Sequence, residues 1–286
     1  MKWFTPSTLE ELAEALRQAG PGGQLVAGGT DYTIRLRQGK AVPEALIYPG
    51  GIPAFRELTL TEEALRVGAM VTMVELNRFL SSVPAFAAIA DAAGGVGSPQ
   101  IRSKATMIGN LCNASPAGDM LPIAKLYDMR LEVLDEDGSL RTVPVSEFLL
   151  GPGKTVLKPG EAVVAAVARR KDFDGCISAF YKIGFRSYVS IARIGMGGLI
   201  RLDEDHRVTE ARFTLGAVAN VPIRVPEAEA VLQGRILEEA PPEALVAAVS
   251  QTVHDNCRPA NRLYKTEAAR GLCAELFARL SKRAQG

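Results

Sequence analysis

The chain has 286 residues, 47% of them hydrophobic and 23% charged, with 33 basic side chains against 32 acidic ones for a formal net charge of +1. That composition fits an ordinary soluble globular protein with chain enough for two domains or one large one, and it excludes disorder, collagen and a disulfide miniprotein. The near-neutral balance, without a basic stripe, argues against nucleic acid as a partner. There are two histidines, His206 and His254, and Cys112, Cys176, Cys257 and Cys273 are widely scattered. No ligand spacing for structural zinc or an iron–sulfur cluster results, and lone thiols suit a reducing compartment. The amino-terminal stretch lacks an apolar signal core and no long apolar run follows, so the expected setting is cytoplasmic, with no membrane span.

In chain order, Ser7-Thr8-Leu9-Glu10 reads as a capping box, and Leu9, Leu12, Ala13 and Leu16 recur at helical spacing up to Gly20. This predicts a helix over 8–19. Gln24–Ala27 predicts a strand feeding the Gly28-Gly29 turn, and 45–48 and 64–69 predict two more strands. Helical patterns at 72–81 and 84–93 end at the breaker Gly94–Pro99. The runs 131–134 and 140–143 flank Asp137-Gly138, a hairpin signal. Gly151-Pro152-Gly153, Pro159-Gly160 and the charged run 169–172 place a boundary near 172, dividing the chain into 1–172 and 173–286. Beyond it, 194–202 and 207–218 predict an antiparallel pair, and helices are expected at 226–233, 241–255 and 261–282. Elements mix without a regular β-α-β-α beat, so the fold class is α+β.

Catalytic constellations are weak. His206 lies in a charged turn and His254 among polar residues, so neither serves as a convincing base for a nucleophile. Glu62-Glu63 and Glu238-Glu239 are sequence neighbours whose side chains diverge, as solvated faces do. Gly195-Met196-Gly197-Gly198 resembles a dinucleotide fingerprint, but a strand rather than a helix follows it. Gly153-Lys154-Thr155 imitates the end of a P-loop with Phe148 where its first glycine belongs.

Two glycine loops remain. The first is Val26-Ala27-Gly28-Gly29-Thr30-Asp31, directly after a strand; the second runs from Ser103 through Thr106, Gly109 and Asn110 to Ser115 and Asp119. Successive inward-turned amides make an anion nest, glycine lets a phosphate approach the backbone, and Thr30, Thr106, Asn110 and Ser115 offer side-chain donors. A dinucleotide pyrophosphate held between two such loops needs no Arg or Lys.

At these loops the sequence resembles the FAD-binding medium subunit of the molybdenum hydroxylases, the family of the carbon monoxide dehydrogenase medium subunit and the bacterial xanthine dehydrogenase flavin subunits. The resemblance runs through Ala27–Asp31, Gly97-Ser98-Pro99-Gln100-Ile101-Arg102, the stretch 106–110, the Ser-Pro-x-x-Asp pattern of Ser115–Asp119, Gly160-Glu161 and Phe180-Tyr181-Lys182 to the helical tail. It implies a two-subdomain FAD-binding domain of the vanillyl-alcohol oxidase and p-cresol methylhydroxylase type. A smaller C-terminal domain with a three-stranded antiparallel sheet and helices would follow. It further implies cofactor contacts from Val26, Ala27, Gly28, Gly29, Thr30, Asp31, Thr106, Gly109, Asn110 and Ser115, with Asp119 and Lys182 near the flavin half, where a cation tunes the ring.

The implied role is an electron-transfer flavoprotein. A large molybdenum-cofactor subunit and a small subunit with two [2Fe-2S] clusters would be its partners, in a dimer of heterotrimers, and NAD+, a quinone or another acceptor would receive the electrons. The alternatives are a stand-alone FAD oxidoreductase with its own organic substrate, and a FAD-free assembly module. One departure stands out: Ile108 occupies the place of the family's first glycine after Thr-Ile, and a β-branched residue there would be strained if φ were positive. The cysteine-rich insertion that carries an extra cluster in some relatives is absent, and Cys112 alone cannot replace it.

Overall fold

The computed structural model describes residues 1–186, 189–237 and 240–285. The chain forms two compact units, each assembled from separate segments: Met1–Glu75, Pro99–Ala114 and Asp128–Lys171 make the first, and Leu76–Ser98, Ser115–Tyr127 and Asp172–Gly286 the second. Segments 76–98 and 115–127, which the sequence groups with the amino-terminal part, thus pack with the carboxyl-terminal chain.

In the first unit, strands β1 (Lys2–Phe4), β2 (Gly23–Leu25) and β3 (Ala45–Ile47) form a parallel sheet in the order β1-β3-β2. Helix Leu9–Ala19 buries Leu12, Ala13, Ala15, Leu16 and Ala19 on one stripe, as its periodicity predicts. Its cap is one residue later than expected. Thr8 is the N-cap, accepting from the Glu11 amide at 3.1 Å, while the Glu11 carboxylate reaches back to the Ser7 amide and hydroxyl.

A second, antiparallel sheet carries β4 (Leu58–Leu60), β5 (Ala64–Gly68), β6 (Arg130–Leu134) and β7 (Leu140–Pro144). The Asp-Gly hairpin joins β6 and β7, with Gly138 at φ +83°. After the small ribbon β8 (Leu149–Gly151) and β9 (Lys154–Thr155), strand β10 (Ala162–Arg169) inserts between β5 and β6, giving the order β4-β5-β10-β6-β7. The central strand of this sheet therefore lies just before the boundary that glycine, proline and charge content place near 172. Its run Ala162 to Ala166 is wholly buried, so it lacks the alternation of a one-sided strand.

The second unit is built on β11 (Cys176–Gly184), β12 (Ala192–Leu202) and β13 (Val208–Gly216), three long antiparallel strands extended by the two-residue β14 (Ile223–Arg224). Helices Pro226–Leu232, Glu243–Asn256 and Pro259–Ala284 cover it, with Leu245, Val249, Leu272, Leu276 and Leu280 in the core. The glycine run of β12 serves packing. A Cβ on Gly197 would stand 3.2 Å from Leu126, one on Gly198 3.0 Å from Leu276, and one on β13's Gly216 2.7 Å from Pro122. Helices Ala87–Gly95 and Met120–Leu126 belong to this unit, and Asp91 accepts from the Phe180 amide and takes a fork from Arg283, both Nη atoms at 2.8 Å.

Candidate functional site: two glycine loops and a buried ion pair

Strand β2 hands over directly to the first glycine loop. The Val26 amide still pairs with the Ile47 carbonyl at 2.9 Å, and the chain then leaves the sheet at the carboxyl end of a parallel strand, where open sheets bind ligands. Gly29 sits at φ +69°, and its carbonyl receives both the Thr33 amide and hydroxyl, which starts helix Tyr32–Arg37. Among the described residues, the amides of Ala27, Gly28, Gly29, Thr30 and Asp31 donate to no backbone or side-chain acceptor. Val26 to Thr30 are half-buried and Asp31 is exposed.

The second loop meets the first. A Cβ on Gly28 would lie 1.8 Å from the Lys104 carbonyl oxygen and 2.5 Å from its carbon, so the Gly28 backbone rests on the Lys104–Ala105 peptide. No residue with a side chain fits. Thr106, 3% exposed, caps helix Met107–Asn113, its hydroxyl accepting from the Gly109 amide at 3.0 Å. Gly109 is exposed and Asn110 half-buried just beyond. Ile108 is not strained. It lies in the first turn of this helix, outside the positive-φ residues, and its side chain is buried in the core. Position 108 therefore has ordinary helical backbone, which a β-branched residue accepts.

Ser115, Asp119 and Lys182 belong to the second unit. Ser115 opens a turn closed by the Gly118 amide, and Asp119 precedes helix Met120–Leu126 without capping it. The Lys182 ammonium instead reaches Asp119 Oδ2 at 2.5 Å, while Oδ1 is buried with no partner. Burial pushes the Asp119 carboxyl up to about 6, against the downward pull of Lys182. Gly95 lies alongside, where a Cβ would make ordinary contact with Lys182 Cε at 3.6 Å.

The structure thus brings Gly28 to the second loop and Asp119 to Lys182, in two separate units. It adds Tyr32, the residue that follows the first loop, whose phenol oxygen is buried without a partner. Nothing in the sequence signals that burial, whereas a glycine after a strand signals Gly28. His206 occupies an exposed turn at φ +58°, and His254 is exposed and bonded to Asp255 at 3.1 Å. Gly153 turns the β8–β9 ribbon, Glu62-Glu63 are exposed, and Glu238-Glu239 lie outside the described residues. No cluster of His, Cys, Asp or Glu among the described residues suits a metal ion, and no described helix is long and apolar enough to cross a membrane.

Loops that present unpaired amides and a glycine seat at a strand end define a protein of the nucleotide-cofactor class. Comparison narrows this. The chain belongs to the family described as FAD binding domain in molybdopterin dehydrogenase, matched over residues 1–168, and the CO dehydrogenase flavoprotein C-terminal domain matches residues 179–280. It is 29% identical over 290 residues to a nicotinate dehydrogenase FAD-subunit of Eubacterium barkeri, covering 100% of this chain and 97% of that one. It is 32% identical over 234 residues to a xanthine dehydrogenase FAD-binding subunit of Escherichia coli O157:H7, covering 82% and 80%. The fold is shared with carbon monoxide dehydrogenase from Hydrogenophaga pseudoflava, at TM-score 0.86 and 24% identity over 99% of this chain and 98% of that one. It is shared too with quinoline 2-oxidoreductase from Pseudomonas putida 86, at TM-score 0.87 and 19% identity over 100% and 98%. The chain is a flavoprotein of the molybdenum hydroxylase family, an oxidoreductase subunit whose cofactor is FAD.

Proposed function

We propose that this subunit carries electrons from the iron–sulfur clusters of a partner subunit to NAD+ or another acceptor. It would work beside a large molybdenum-cofactor subunit and a small subunit with two [2Fe-2S] clusters, in a cytoplasmic dimer of heterotrimers. The observation that carries the reading is the seat of Gly28 on the Lys104–Ala105 peptide, with unpaired amides along Ala27–Asp31. Bound FAD supplies the redox chemistry, since the flavin exchanges electrons singly or in pairs.

The chain's own residues bind and orient. Val26 through Asp31, with Thr106, Gly109, Asn110 and Ser115, would hold the pyrophosphate and the adjoining ribityl chain. Amides without a protein acceptor are free to donate to an anion, which then needs no counter-charge from Lys or Arg. Asp119 and Lys182 would face the flavin half, where the unpaired Asp119 Oδ1 is an acceptor seeking a donor and Lys182 supplies positive charge. Residues 1–172 would form the FAD domain and 173–286 the C-terminal domain. The fork of Arg283 on Asp91 ties helix Ala87–Gly95 to helix Pro259–Ala284.

The test is purification of the chain with its neighbouring gene products. The preparation should be yellow, release FAD on acid denaturation, and contain molybdenum and iron–sulfur subunits. A colourless protein that takes up no FAD overturns the cofactor assignment. A yellow protein that turns over an organic substrate alone overturns the relay.

A further inference from the structure

The parallel sheet of the first unit is covered by its own chain on one side only. A Cβ on Gly23 would stand 2.5 Å from Ala19 Cβ, so the face shared by Gly23, Ala45 and Lys2 is the one under helix Leu9–Ala19. Side chains alternate along a strand, which puts Trp3, Leu46 and Gln24 together on the other face. Parallel sheets are ordinarily buried on both faces. Here Trp3 is 59% exposed, and Gln24 is exposed as well. The order β1-β3-β2 makes the two crossovers run in opposite directions, and right-handed crossovers that do so lie on opposite faces. Helix Tyr32–Arg37, which joins β2 to β3, therefore belongs to the Trp3 side.

That helix does not cover the face. None of its residues is fully buried, and 33–40 are exposed throughout. Six residues are too few to hold a helix in water without packing. Ile34, Leu36 and, just beyond, Val42 stand in solvent, and Arg35, Arg37 and Lys40 bond no carboxylate among the described residues. We propose that this side of the first unit is the docking surface for the small iron–sulfur subunit, which meets it with an acidic segment carrying apolar side chains. The inference rests on the reading that the chain works beside such a subunit. Charge selects the chemistry of the occupant, because three unpaired cations call for carboxylates opposite. A second copy of the chain is disfavoured, since a two-fold contact would set these cations against themselves. A lipid surface is disfavoured too. Ile34, Arg35, Leu36 and Arg37 alternate in sequence, and successive helical residues point about 100° apart, so apolar and cationic side chains do not separate onto two faces. Position selects the subunit. The helix starts on the Gly29 carbonyl, which receives the Thr33 amide and hydroxyl, so a partner gripping it stands at the cofactor loop, where the electron donor must be.

The experiment compares the assembled complex with the FAD-loaded chain released from it. Amide hydrogen exchange over 32–43 should be at least about tenfold slower in the complex than in the free chain. A carbodiimide, which joins amines to carboxylates in contact, should link Lys40 to the iron–sulfur subunit. Dissociation on dilution, followed by mass photometry, reads the affinity. The double variant Ile34→Glu, Leu36→Glu should dissociate at about 100-fold higher concentration, with parental flavin content and thermal stability, since both positions are exposed. Arg35→Gln with Arg37→Gln should weaken the complex about tenfold and flatten its salt dependence. The proposal is overturned by equal exchange of 32–43 in free and assembled chains, by variants that assemble as the parent does, or by Lys40 links that reach only the molybdenum subunit. It is also overturned if the chain alone dimerises with 32–43 protected, or if phosphatidylserine vesicles bind the parent but not the variants while assembly is unchanged. A chain that finds no iron–sulfur subunit at all removes the relay reading and this surface with it. A complete complex indifferent to the patch removes the surface alone.

Discussion

The glycine loops of the first unit and the Asp119–Lys182 pair of the second, both proposed to face the cofactor, are made of opposite materials. The loops use main-chain amides, which only a proline can delete and which carry no charge that a counter-ion must balance. The pair uses side chains, and it keeps the full burden of burial: a carboxyl with one oxygen on an ammonium and the other on nothing. A backbone site is therefore broken by adding atoms, and a side-chain site by removing them.

The largest effect is expected from adding one carbon to the loop. Gly28→Ala places a Cβ at 1.8 Å from the Lys104 oxygen. The two loops must separate, at a cost of about 3 kcal/mol or more and with about 100-fold weaker FAD retention. Thermal unfolding and flavin content check this; an Ala variant with parental flavin would show that the loops need not touch.

Removal of the cation comes next. Lys182→Met leaves the Asp119 carboxylate buried and unpaired, which should cost about 2 kcal/mol at pH 8 and much less at pH 5, where Asp119 is protonated. The parent already shows the same linkage in milder form. Because the carboxyl sits at about 6 in the folded chain, above its ordinary value of 3.8, the native state binds the extra proton between those values, and stability falls as pH rises through them. Asp119→Asn should flatten that slope in denaturant titrations between pH 4 and 7. An unchanged slope would mean that the carboxyl is not the titrating group.

The smallest effect belongs to the cap. Thr106→Ala removes the acceptor for the Gly109 amide and should cost about 1 kcal/mol, with FAD affinity falling a few-fold as the helix start loosens. Thr106→Ser should restore most of it.

These sites were legible to different degrees for physical reasons. Gly28, Gly29 and Thr106 announce themselves because a turn after a strand and a helix cap are local events, written in neighbouring residues. The Asp119–Lys182 contact spans 63 positions, so only the family resemblance connects the two residues in the sequence. The cap of the first helix slipped from Ser7 to Thr8 because both hydroxyls precede a glutamate at the right distance, and the reciprocal bonds of Glu11 decide between them. Strand β10 is hidden for the opposite reason: a strand buried on both faces has no period to detect, and glycine, proline and charge around it read as a domain boundary. Ile108 looked troublesome only while the backbone at that position was unknown. Helical backbone at 108 removes that concern for this chain.

The place of β10 in the sheet also sets an order on folding. It is the middle strand of five and the last of them in sequence, so a ribosome must deliver residue 169 before β5 and β6 can be joined. Segments 76–98 and 115–127 meanwhile wait for the chain beyond 172 to complete their own unit. Early synthesis thus yields sheet edges without partners, and final assembly becomes a late, long-range event that favours slow folding and a need for protection during translation.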